Sequence, residues 1–179
     1  MKLAFFDVET TGLSPSNGDR ICEVGILCTD DFIIKKRYST LINPSMPINP
    51  SASMINGITD EMVADAPKFS QVADKILKHF SDRIIVCHNV PFDFKFLRHE
   101  LAMMSLPMPD NPVMDTLKIA RKFFNFPSNK LQSIADLLNI TPKEKHRALA
   151  DVYTTKEVLK YFFEQFDRRG IDIMDHYYQ

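Results

Sequence analysis

The chain has no surplus of positive charge, its formal net charge being −1. This argues against a nucleic-acid binder that works through overall basicity. A phosphate partner would have to be held locally, by a metal ion, a helix start or a small basic cluster. Cysteine is scarce. The three present, Cys22, Cys28 and Cys87, stand in apolar, strand-like settings without a C-x-x-C pair. They read as reduced core thiols of a cytoplasmic protein. No apolar run approaches the length of a membrane span, and the N-terminus enters a strand with no signal peptide before it. Linkers, repeats and low-complexity segments are also missing, so one domain is expected over 1–179, with its motif-bearing core at about 2–165 and a short tail at 166–179.

What is present suits a globular fold: 179 residues, 45% hydrophobic and 25% charged, enough for a sizeable core. The stretch Phe5-Phe6-Asp7-Val8-Glu9-Thr10-Thr11-Gly12-Leu13 stands out. An apolar run from Leu3 to Val8 reads as a buried strand and ends on two acids. Strand side chains alternate faces, so Asp7 and Glu9 point the same way. Neighbouring carboxylates raise each other's cost of ionising, and a divalent cation resolves that cost, because hard oxygen ligands suit magnesium or manganese. A strand end where two acids merely reach water would carry the same pair.

Further along, residues 20–29 and 32–41 read as two more strands, joined by a reversal at Asp30-Asp31 into an antiparallel meander. A proline-rich loop, 43–50, leads to short helical turns and then to a helix with Phe69, Val72, Ile76, Leu77 and Phe80 on one stripe. Arg83–Cys87 is a short apolar strand suited to a parallel position. Helices are expected at about 92–104, 115–124, 131–138 and 148–166, with a brief strand at Val113-Met114. A meander feeding βαβ crossovers gives an α/β fold, a mixed sheet with helices on its faces.

Three more residues have the chemistry to join the acids. Asp93 follows the fourth strand, where ligands of open α/β sheets gather, although an acid also suits a helix start. Asp151 has threonines at i+3 and i+4 in its helix, with Arg147 at i−4 as a possible ion-pair partner. His146 precedes it by five residues. Within one helix the two would lie about 140° apart, so both reach one site only if His146 sits on the loop before the helix.

Taken together, Phe-Asp-x-Glu-Thr-Thr-Gly (6–12), His-Asn-x-x-Phe-Asp (88–93) and His-x-x-x-x-Asp (146–151) resemble the motifs of the DEDD exonuclease superfamily. More narrowly the chain is similar to the DnaQ-like, histidine-type group that includes the proofreading epsilon subunit of bacterial DNA polymerase III. Residues 18–25, 55–60 and 115–117 extend the resemblance. It implies a ribonuclease H-like fold with a mixed five-stranded sheet, and a 3′→5′ exonuclease that releases nucleoside monophosphates. Asp7, Glu9, Asp93 and Asp151 would hold two divalent ions, Mg2+ or Mn2+, with His146 as general base. Thr10, Thr11, Leu13 and Phe92 match positions that seat the terminal nucleotide. Asn56 stands where relatives often carry histidine. The implied partner is a single-stranded or frayed 3′ end of DNA. RNA end-trimming and non-catalytic end binding are the alternatives. A polymerase partner would have to dock without the long C-terminal segment that the proofreading subunit uses.

Overall fold

The computed structural model describes residues 1–140 and 147–172. The expectations for the 141–146 loop, His146 among them, and for the end of the tail lie outside the described residues. Strands β1 (Lys2–Thr10), β2 (Ile21–Asp30) and β3 (Ile33–Leu41) form the expected antiparallel meander. The β2–β3 reversal turns on Asp31 and Phe32, with φ of 47° and 62°. Strands β4 (Ile84–Cys87) and β5 (Val113–Asp115) then add in parallel on the other side of β1. The sheet order is β3-β2-β1-β4-β5, which makes β1 the central strand and places its acidic end in mid-sheet.

Seven α-helices are described: α1 (Pro50–Asn56), α2 (Asp60–Val63), α3 (Phe69–Phe80), α4 (Val90–Ala102), α5 (Thr116–Phe123), α6 (Leu131–Leu137) and α7 (Ala148–Arg169). The alternation of β1 separates two apolar layers, while α1 and α2 pack on a smaller cluster around Cys22, Ile48 and Ile58. Ala4, Phe6 and Val8 pack with Phe69, Val72, Ile76 and Phe80 of α3 and with Phe96, Leu97 and Leu101 of α4. Leu3 and Phe5 pack with Leu27, Val86 and Met114 beneath α7, whose Val152, Leu159, Phe162 and Phe166 form one buried stripe. Each such fully buried side chain contributes about 1.5–3 kcal/mol relative to exposure. Among the described residues no helix is long and apolar enough to cross a membrane, and all three cysteines are buried free thiols.

Helix α7 outruns the expected end at Phe166 and stops at Arg169. There Gly170, at φ 65°, supplies the left-handed cap that ends a helix at little steric cost. Helix α4 begins earlier than expected, at Val90, because the carboxylate of Asp115 on β5 accepts from the backbone N–H groups of Asn89 and Val90, both at 3.1 Å. The same carboxylate caps α5 through Leu117 and Lys118, so one acid fixes two helix starts.

Candidate active site

Asp7 and Glu9 project from one face of β1, as the strand period requires. Their partners across the β1–β2 ladder are Gly25 and Glu23, which therefore face the same way. Gly25 has a steric reason to lack a side chain. A Cβ there would lie 2.3 Å from the carbonyl carbon of Ala148, so the first turn of α7 rests directly on the sheet beside Asp7. Glu23, only 2% exposed, holds that turn in place. It accepts from Arg147 Nε and Nη2 at 2.8–3.2 Å and from the backbone N–H of Ala148 at 3.1 Å. Arg147 thus puts its guanidinium on Glu23, and the pairing satisfies a helix-start N–H as well.

One turn into α7, Asp151 comes down beside the strand acids. Carboxylate oxygens of Asp7, Glu9 and Asp151 lie within 4.8 Å of one another. Asp93 arrives from α4. Strand β4 pairs with β1 only as far as Phe5, so the N–H of Val8 is not taken up by that ladder, and Asp93 Oδ1 accepts it at 3.2 Å. Asp93 stands outside the tight group of three, but among charges it is the strongest influence on Asp7.

The electrostatics follow from this crowding. Burial first, then the charges of Asp93, Glu9, Asp151 and Glu23, push the Asp7 carboxyl well above its usual range. Burial, with Asp151 and Glu23, pushes Glu9 to about 8, against the opposing influence of Arg147 and of a hydrogen bond with Asn56. Asp93 is also raised, by burial first, although the N–H groups of Val8 and of Asp93 itself pull the other way. Such a group is costly as bare charges and chemically suited to a divalent cation, since every donor is a hard oxygen. The donor set thus fits the implied metal.

The residues expected to seat a nucleotide are placed as follows. Leu13 is 76% exposed, ruling out a core role, and it lies on the loop that continues β1. Phe92 packs against Phe96 with ring centroids 5.3 Å apart. Lys95 joins the two regions: its ammonium donates to the Leu13 carbonyl at 2.6 Å and sits 4.6 Å from the centre of the Phe92 ring. Thr10 and Thr11 are buried, and their hydroxyls are engaged locally. Thr10 Oγ1 donates to the Gly12 carbonyl, while Thr11 Oγ1 accepts from the Arg20 N–H. Asn56 is likewise buried and folded inward, accepting from the Ile58 N–H at 3.0 Å.

Reasoning from sequence missed Glu23, Gly25, Lys95 and Gln132. Glu23 and Gly25 lie in a segment that belongs to the family resemblance, a signal that could have found them. Gln132 Nε2 donates to Asp151 Oδ1 at 2.7 Å, and nothing in the local pattern announces that contact.

A family description, exonuclease, matches residues 4–159. The chain is 35% identical over 156 residues to the DNA polymerase III subunit epsilon of Treponema pallidum, covering 86% of this chain and 72% of that protein. It is 32% identical over 155 residues to the 3'-5' exonuclease DinG of Bacillus subtilis, covering 86% of this chain but 17% of that protein. It spans only 12% of the length of DNA polymerase III PolC-type relatives. Among solved structures, exonuclease X in complex with 5′ overhanging duplex DNA superposes with a TM-score of 0.74 at 28% identity, over 91% of this chain and 92% of that one. An acidic group gathered from β1 and α7 on a mixed five-stranded sheet, and a match across most of its length, carry one conclusion: the chain belongs to the exonuclease family.

Proposed function

We propose that the chain removes nucleotides from the 3′ end of DNA by metal-dependent phosphodiester hydrolysis, releasing nucleoside monophosphates. The observation that carries this reading is the meeting of Asp7, Glu9 and Asp151, far apart in sequence, within 4.8 Å of one another. The direction and the DNA substrate are supported by the relatives, a 3'-5' exonuclease and a polymerase epsilon subunit, and by the DNA-bound neighbour. The same relatives support a proofreading or repair role beside a polymerase, and the three buried free thiols suit the cytoplasm.

In this reading Asp7, Glu9 and Asp151, with Asp93 behind them, would hold two divalent ions, Mg2+ or Mn2+. Such ions would supply a lowered pKa for an attacking water and positive charge against that building on the phosphodiester oxygens. His146 takes the proton of that water, for which an imidazole with an ordinary pKa of about 6.5 is suited near neutral pH. Leu13 wedges beside the terminal base and Phe92 packs against it, a contact that needs no base code. Thr10, Thr11 and Asn56 shape the pocket through backbone groups and inward hydrogen bonds.

The test is a panel of labelled single- and double-stranded DNA and RNA oligonucleotides with blocked 3′ or 5′ ends. With magnesium or manganese, DNA with a free 3′ end is shortened, 3′-blocked strands persist and EDTA stops the reaction. His146→Ala lowers turnover about 10²–10⁴-fold, the usual contribution of a general base. Full-length DNA under every metal and pH condition would instead mark an end-binding module, and faster loss of RNA would move the substrate assignment.

A further inference from the structure

We infer that Gln132 is a positioning residue for the metal site: its side-chain amide orients the carboxylate of Asp151 toward the acids of β1. The inference rests on the reading of those acids as ligands of a divalent cation.

Gln132 lies in the first turn of α6, and its Nε2 meets Asp151 Oδ1 at 2.7 Å. The turn is held from two sides. Leu131 and Ile134 belong to the apolar layer beneath α7, and the Asn129 carbonyl is 2.9 Å from His88 Nε2, at the end of β4. A carbonyl only accepts, so that ring nitrogen carries the proton.

The direction of the Gln132 amide is set by chemistry. Turned over, its oxygen would face a carboxylate oxygen, two acceptors in contact. As it stands, Oε1 is buried with no hydrogen-bond partner among the described residues. A glutamine that served the fold alone would satisfy both ends of its amide, because an unpaired buried acceptor is destabilising. Among the described residues one end goes unsatisfied while the other is committed to a member of the acidic group. The residue type also fits the task. A neutral donor fixes a carboxylate without adding a positive charge that would compete with the cation, whereas an acid at this place would add to the repulsion. Hydrogen bonds of this kind to ligating groups set ligand orientation and metal affinity.

The experiment is calorimetric titration of the full chain with Mn2+, without nucleic acid, for the wild type, Gln132→Met and Gln132→Ala. Thermal melts of the metal-free proteins and steady-state kinetics on a single-stranded DNA oligonucleotide accompany it. The expected result is Mn2+ binding weakened about 10–100-fold, a metal-free melting temperature that does not fall, a lower kcat at limiting Mn2+ and an unchanged KM for the oligonucleotide. Excess Mn2+ restores kcat. Alanine is well tolerated in helices, so that variant decides the matter if the methionine variant does not fold. Wild-type affinity in a folded variant overturns the inference and leaves the reading of the acids intact. So does a loss of affinity that only tracks a fall in melting temperature. A wild-type chain that binds no Mn2+ overturns both.

Discussion

Asp7 sits where the demands of folding and of chemistry oppose each other. It is on the central strand, partly buried, and faces the charges of Asp93, Glu9, Asp151 and Glu23. Asp7→Asn keeps the shape and removes one charge. Turnover should fall by more than the about 10²–10⁴-fold that loss of a general base costs, while the metal-free melting temperature stays the same or rises. A melting temperature that drops in step with activity would mean that Asp7 supports the fold rather than the reaction. Glu9 gives the same conflict a pH dependence. Its folded-state value of about 8 lies above the unfolded value of about 4.3. Between these two pH values the folded chain binds more protons than the unfolded one, so the stability of the metal-free protein falls as pH rises through that window. A bound cation replaces those protons. The rise in melting temperature on adding magnesium should therefore be small near the acid end of the window and largest near its upper end. An equal rise at both ends would count against a metal held by these carboxyls.

At the scale of elements, the site depends on how α7 is seated. Gly25→Ala places a methyl group against the backbone of Ala148, at 2.3 Å before relaxation, and a helix backbone cannot yield as a flexible side chain can. Overpacking of this kind costs about 1–3 kcal/mol. The shift it forces carries Asp151 away from Asp7, so Mn2+ affinity should fall together with stability. A variant that loses stability but binds Mn2+ normally would show that the first turn of α7 does not set the position of Asp151. The sequence showed this arrangement unevenly. The meander and the acidic strand end were legible because period-two alternation and turn residues are local signals, and β1 places Asp7 and Glu9 on one face by geometry alone. The seating of α7 was not. It rests on Glu23, Gly25 and Arg147, which meet across about 120 residues of chain, with Arg147 and Glu23 separated by 124. Local spacing offered Arg147 as a partner for Asp151 and gave no sign that it reaches β2. The start of α4 was misplaced for the same reason, since its cap, Asp115, comes from another strand.

At the scale of the whole molecule, the charge distribution limits how the strand can be held. The chain is close to neutral, at −1, and three of the described basic groups near the site are drawn into contacts within the fold. Arg147 is on Glu23, Arg20 is on Glu100, and Lys95 is on the Leu13 carbonyl. Lys35, Lys36 and Arg37 are exposed on the edge strand β3, where charge also blocks edge-to-edge pairing. If the proposed substrate strand is gripped at its terminal nucleotide and only weakly beyond it, its affinity depends little on salt. Each phosphate contact on a single strand adds about −0.7 to the slope of log affinity against log salt. Two or three contacts predict a slope of about −1.4 to −2 for kcat/KM on a single-stranded oligonucleotide, measured at constant magnesium. The same weak grip predicts release after each cleavage, seen as a ladder of partly shortened products when unlabelled competitor is added after the reaction starts. A slope steeper than about −4, or complete digestion of each strand before release, would require a basic track of many phosphate contacts.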